Sequence, residues 1–198
     1  DYFGRPAFLA QSPQLYKQML MSTGLDRVYE LGPAFRAEHS NTNRHVTEFI
    51  SFDGEMSWIE NQSDIMHMIE RILNHVLNGL AERGGRQLSV LGKEIRVPTS
   101  PYPVLTYEEC LRMVREAGLE LADGEDLGTE GEKIIGDIMS DGGHDLYWIT
   151  EYPEEAKPFY IMEKEGTPYS FSSTLTTRAR RSPPAVRGNT GTMCSRTG

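Results

Sequence analysis

A chain of 198 residues with 38% hydrophobic and 25% charged residues has globular composition and enough apolar material for one domain with a core. Its formal net charge of −9 excludes a surface built throughout as a nucleic-acid sleeve, though not a local basic site. Two distant cysteines, Cys110 and Cys194, exclude a zinc ribbon and fit a reduced, cytoplasmic protein, and no apolar run approaches a membrane span.

No signal peptide or internal repeat is visible, and the first residue is Asp1 rather than Met, so a missing start is expected. The first ten residues carry a turn signal at Gly4 to Pro6 and predict a short apolar strand over 7–10. Ser12, Pro13 and Gly24 punctuate a helix over about 13–23, with Leu15, Met19 and Leu20 facing inward. Gln14 and Lys17 share a face in its first turn, beside the free amide donors. Lys17 and the helix dipole would both favour an anionic ligand there. A solvent-facing lysine on an amphipathic helix fits the same pattern.

A strand over 28–31 is expected to turn at Gly32 and Pro33. The stretch 34–57 then reads as two strands joined by a polar loop. Ala34, Arg36 and Glu38 alternate with Phe35 and Ala37, and Phe49, Ser51, Asp53 and Glu55 alternate with Ile50, Phe52 and Met56. One face should carry chemistry and the other core. The loop adds Arg44 and His45. Arginines could close on a polyphosphate while Phe49 offers a stacking face for a base. A half-solvated hairpin with surface charges has the same alternation.

Ser63 is expected to cap a helix to about Arg83, carrying His67 and His75 as ordinary surface or edge histidines. Strand and loop should fill 86–105. Thr106 with Glu109, and Thr129 with Glu132, form capping boxes for helices to about Ala117 and Met139, separated by an acidic loop that lacks calcium-site spacing. Strands are predicted over 146–150 and 158–162.

Three stretches together resemble the catalytic domain of aspartyl-tRNA synthetases of the archaeal and eukaryotic type: AFLAQSPQLYKQMLM, the FRAE, RH, EF and D-x-E elements of the 34–57 hairpin, and GEDLGTEGEKIIG with YPEEAKPFYIM. The resemblance covers about residues 1–171. It implies an α+β fold, an antiparallel β-sheet flanked by helices as in class II synthetases, present incompletely. The hairpin resembles motif 2, and motifs 1 and 3 are expected to be absent.

The resemblance also implies roles. Lys17 would pair with the side-chain carboxylate of aspartate, and Gln14 and Asp53 would hold its backbone groups. Arg36 would neutralise the α-phosphate of ATP as the catalytic arginine. Glu38 would read adenine, Phe49 would stack on it, and Arg44 and His45 would meet the terminal phosphates. Glu55 matches a family position without a clear role, and His39 stands where the family often has an acid. ATP, Mg2+, L-aspartate and tRNA(Asp), with tRNA(Asn) left open, are the implied ligands, and the complete enzyme would be a homodimer. No metal ligand is identified in the chain. An asparaginyl-tRNA synthetase, an amidotransferring paralogue and a non-catalytic remnant are the competing readings. Lys17 argues against the first two, because only an acidic substrate needs it.

Residues 172–198 have five arginines, no acid and no hydrophobic period, which predicts a disordered basic tail or a frameshifted one. One set of synonymous codons for residues 179–194, read two bases later, encodes EEISSGGQREHRYDV, which resembles the family strand bearing a magnesium-binding acid.

Overall fold

The computed structural model describes residues 2–37, 46–177 and 188–189, and the chain divides into two compact units, residues 1–59 and 60–198. In the first unit, alternating polar and apolar residues form a two-stranded antiparallel ladder. A helix, α1 (Gln14–Met21), precedes β1 (Arg27–Phe35), which pairs with β2 (Glu48–Met56).

β1 runs unbroken through Gly32 and Pro33, where the sequence predicted a turn. The ladder supplies the reason. The amide of Arg36 donates to Thr47 O at 2.9 Å, so the even-numbered residues of β1 direct their backbone groups toward β2. The odd-numbered residues direct theirs to the outer edge, where Phe35 N–H donates to Ala10 O at 2.9 Å. Pro33 has that outward parity, so its missing N–H costs no ladder bond. Residues 7–10 form no strand: Phe8 and Leu9 are exposed, and the backbone contact to β1 is one bond, Phe35 N–H to Ala10 O, too little for a ladder.

α1 is shorter than the predicted 13–23 and its cap is Pro13 rather than Ser12; the Ser12 hydroxyl, one residue further out, accepts the Gln14 amide at 3.2 Å. Leu15, Met19 and Leu20 are exposed rather than inward-facing, and the buried residue of α1 is Lys17. The apolar face of the hairpin is likewise no core. Tyr29, Leu31, Ile50 and Phe52 are all exposed, with Tyr29 and Phe52 stacked at 5.6 Å.

The second unit has the apolar core. α2 (Gln62–Arg83) starts at Asn61 rather than Ser63: Asn61 accepts the Ser63 amide at 2.8 Å, and Asp64 accepts the amide of Asn61 in return. Gly84 ends it, and α3 (Gly85–Val90) continues in a segment predicted as strand and loop, propagating bonds such as Leu88 N–H to Gly84 O. The Thr106–Glu109 capping box forms as predicted and starts α4 (Tyr107–Glu116). α5 (Gly128–Asp141) begins before Thr129, with Asp126 accepting the Gly128 amide at 2.8 Å, so the second predicted box is not the cap. His67 and His75 are exposed, as expected. In the acidic loop Asp123 pairs with Arg115, and Glu125 accepts the Ala122 amide.

The sheet order is β3 (Val104–Thr106), β4 (Leu146–Thr150), β5 (Ser173–Thr177) and β6 (Gly188–Asn189), with β3 parallel to β4 and the other pairs antiparallel. This is the expected α+β arrangement, antiparallel in the main. β4 is buried on both faces. Tyr147 and Ile149 pack with Cys110, Leu111, Val114 and Ile135, while Trp148 packs with Met66, Tyr102 and Leu175. Glu70, 2% exposed, ties α2 to this sheet: its Oε1 accepts the Tyr102 amide at 3.1 Å and the Trp148 indole N–H at 2.9 Å.

Residues 158–162, predicted as a strand, form turns, and Phe159 is 99% exposed. The strand beside β4 is instead β5, inside the segment assigned to the tail. Its serines and threonines give no hydrophobic period, but β4 supplies the ladder and Leu175 alone fills the core position. Within the 172–198 stretch expected as tail, β5 and β6 are strands; residues 178–187 and 190–198, which include most of the 179–194 segment of the frameshift expectation, lie outside the described residues. No helix among the described residues is long and apolar enough to cross a membrane.

Candidate functional site

The register of the hairpin decides which side chains meet. Val28 faces Glu55, Glu30 faces Asp53, Gly32 faces Ser51 and Ala34 faces Phe49. Phe49, Ser51, Asp53 and Glu55 therefore share one surface, as the two-residue period predicts. Ile50, Phe52 and Met56 fall on the other.

Lys17 reaches this hairpin from the first turns of α1. Its Nζ donates to Gly54 O at 3.2 Å and lies 3.5 Å from Glu55 Oε2 and 3.6 Å from Asp53 Oδ1. The residue is 4% exposed, whereas the two carboxylates keep 14% and 30% of their side-chain surface. The cation is thus buried and fixed, and the acids at its side remain reachable. Gln14, three residues earlier on the same helix face, donates Nε2 to Glu55 Oε2 at 3.3 Å. Ser51 Oγ donates to Asp53 Oδ2 at 2.5 Å. A buried lysine costs several kcal/mol in desolvation unless charged partners offset it, so such a residue is kept in place by this network.

Arg36 lies at the far end of the same surface, exposed, with its guanidinium carbon 5.2 Å from the centre of the Phe49 ring. A base inserted between the two would need about 7 Å, twice a normal contact distance. A ring can use that face of Phe49 only after Arg36 moves off it. Phe49 and Asp53 are four residues apart on β2, hence about 13 Å along the strand.

Of the nine site residues expected from sequence, the structure brings Gln14, Lys17, Asp53 and Glu55 into one network and pairs Arg36 with Phe49. Glu38, Arg44 and His45, together with His39, lie outside the described residues. Two contributors were missed. Gly54 offers only a backbone carbonyl, which carries no side-chain signal, and Glu30 was assigned to a strand separated from the hairpin by a turn at Gly32. Recognising that an edge strand tolerates Pro33 would have placed Glu30 on the site face.

The sequence pattern of tRNA synthetases class II (D, K and N) matches residues 1–180. The chain belongs to this family. Among curated relatives of this class II chain, an aspartate–tRNA(Asp) ligase of Pyrococcus horikoshii is 49% identical over 168 residues, covering 84% of the chain and 38% of the relative. An aspartate–tRNA(Asp/Asn) ligase of Methanopyrus kandleri is 48% identical over 164 residues, with 83% and 37% covered. Among solved structures, an aspartyl-tRNA synthetase from Entamoeba histolytica superposes with a TM-score of 0.78 at 35% identity, covering 89% of this chain and 38% of that one. The class II chain therefore spans well under half the length of these relatives.

Proposed function

We propose that this class II chain is part of a cytoplasmic aspartate–tRNA ligase and holds the aspartate and ATP subsites of its activation site. One observation carries this reading: the buried Nζ of Lys17, held between Gly54 O, Asp53 and Glu55 at the edge of an open sheet face. A substrate carboxylate that displaces one of these acids from the cation gains a charge-assisted bond. The neutral amide of asparagine gains less. The names of the relatives support the same substrate.

In this reading Lys17 holds the side-chain carboxylate, and Gln14 and Asp53 hold the backbone groups. Glu55 holds Lys17 and Gln14 in position. The α-carboxylate attacks the α-phosphorus of ATP, and the bond to pyrophosphate breaks to leave aspartyl-adenylate. Arg36, moved from Phe49 to the phosphate, neutralises the charge that develops, and Phe49 is then free to stack on adenine. The terminal ribose hydroxyl of tRNA(Asp), and of tRNA(Asn) if the enzyme charges both, attacks the acyl carbon and releases AMP. Glu38, Arg44 and His45 take their adenine and phosphate roles from the family resemblance. Magnesium is implied by the family. Among the described residues no group of three or more His, Cys, Asp or Glu side chains converges to hold a metal.

Motifs 1 and 3, and the homodimer that the family resemblance implies, are assigned to other parts of the full polypeptide, and the 198 residues alone are expected to turn over little or nothing. ATP–pyrophosphate exchange tests the assignment. Aspartate-dependent exchange by the full-length enzyme, lost in Lys17→Met, is the expected result. Exchange driven by asparagine in place of aspartate would overturn it.

A further inference from the structure

Glu30 stands directly across the ladder from Asp53, on the face that carries Phe49, Ser51 and Glu55. Side chains opposed in this way have Cβ atoms about 5 Å apart, and like charges so placed repel. The two carboxylates are not equivalent. Asp53 is engaged on both oxygens, Oδ2 by the Ser51 hydroxyl at 2.5 Å and Oδ1 by the Lys17 ammonium at 3.6 Å. Glu30 is exposed and has no hydrogen bond or ion pair among the described residues. Its Oε1 lies 3.5 Å from the point that a Cβ at residue 32 would occupy, so the side chain lies along the site face beside the space left by Gly32.

Three carboxylates, Glu30, Asp53 and Glu55, thus share a surface with the buried Lys17, while the other described cation of that surface, Arg36, lies at its far end against Phe49. The described part of the site is short of positive charge. A free amino acid supplies what is lacking, because its ammonium adds a cation beside Glu30 while its side-chain carboxylate uses Lys17. Resting on the aspartate reading above, we propose that Glu30 is a specificity-determining residue that accepts the α-ammonium of the substrate, alongside Asp53. The ammonium would also relieve the repulsion between the two opposed acids. The site would therefore select an amino acid over a dicarboxylate that lacks the amine.

Titration calorimetry on the full 198-residue chain separates the two ideas, with L-aspartate and succinate as probes. Succinate keeps both carboxylates and lacks the ammonium. Glu30→Gln is expected to weaken L-aspartate about tenfold or more, as for loss of a bond to a charged group, while leaving succinate unchanged or tighter. Glu30→Asp, which keeps the charge on a shorter arm, should recover part of the loss. Because Glu30→Gln removes a like-charge contact, it should melt no lower than the wild type. Aspartate affinity within twofold of wild type in Glu30→Gln, or a parallel loss of succinate, overturns the role of Glu30 alone. A wild-type chain that binds neither probe overturns the aspartate reading and this inference with it.

Discussion

Residues 1–59 and 60–198 solve the problem of holding a sheet in opposite ways. In the second region β4 is covered on both faces by packed apolar clusters, with Cys110, Val114, Ile135, Tyr147 and Trp148 all fully buried. In the first, the described residues bury only Ala34 and Lys17, and Tyr29, Leu31, Ile50 and Phe52 stay exposed. The region that resists unfolding through hydrophobic packing carries none of the proposed site. The region with the site is held by ladder bonds and by a network centred on one charge. Such a network is less stable than a packed core but leaves two carboxylates at the surface, with the Lys17 cation beneath them.

The chain has two tryptophans, one in each region, Trp58 exposed and Trp148 buried. Their fluorescence therefore follows the two regions separately during urea unfolding, once Trp58→Phe isolates Trp148. The largest expected effect is Trp148→Ala, which removes a wholly buried ring and strands Glu70, at a cost of about 3–5 kcal/mol to the second region. Read through Trp58, that variant should leave the first region little changed. A loss below about 1 kcal/mol, or equal loss in both regions, would erase the contrast.

Glu70 comes next. Glu70→Ala leaves the Tyr102 amide and the Trp148 indole without their acceptor and should cost about 1–3 kcal/mol, whereas Glu70→Gln keeps an acceptor oxygen and should cost less. Equal losses in the two variants would show that packing, not the hydrogen bonds, is what Glu70 contributes.

Alkaline pH probes the same core. Burial, with Glu109 beside it, pushes the Cys110 thiol up to about 12. The unfolded thiol ionises lower, near 8.5, so above that pH the unfolded state gives up a proton that the folded state keeps. Stability is full below this range and should fall, by about 1.4 kcal/mol per pH unit at most, until the folded thiol itself ionises. Cys110→Ala should flatten that slope in urea midpoints measured between pH 8 and pH 10, limits set at about the ordinary thiol range. A slope identical to wild type would remove Cys110 from the account.

The smallest effect is expected on the open face of the hairpin. Phe52→Ala breaks the stack with Tyr29 and should cost the first region only about 0.5–1.5 kcal/mol, read through Trp58 emission. A loss like that of Trp148→Ala would mean the face is buried after all.

What could be read from the sequence divides along similar lines. Period and capping chemistry are local, and they located α1, α2, α4, β2 and β4, with the Thr106–Glu109 box as the clearest case. The parity of β2 likewise put Phe49, Asp53 and Glu55 on one face. Long-range pairing was not legible. β5 looked like tail because serine and threonine carry no hydrophobic signal and its partner β4 lies over twenty residues away. Pro33 was read as a break because its tolerance depends on which way the ladder bonds point, a property of the pair rather than of the residue. Lys17 is the instructive case. Helical periodicity nominated Leu15, Met19 and Leu20 for burial, yet the charged residue is the one enclosed. Only the register of β2 reveals the carbonyl and two acids that hold it.

The most direct test of the account is therefore calorimetric titration of the chain with L-aspartate and L-asparagine, before and after Lys17→Met. The account predicts that aspartate binds at least about tenfold more tightly than asparagine, and that Lys17→Met abolishes this preference chiefly by weakening aspartate. Equal binding of the two amino acids by the wild type, or a preference for aspartate that survives Lys17→Met, would contradict it.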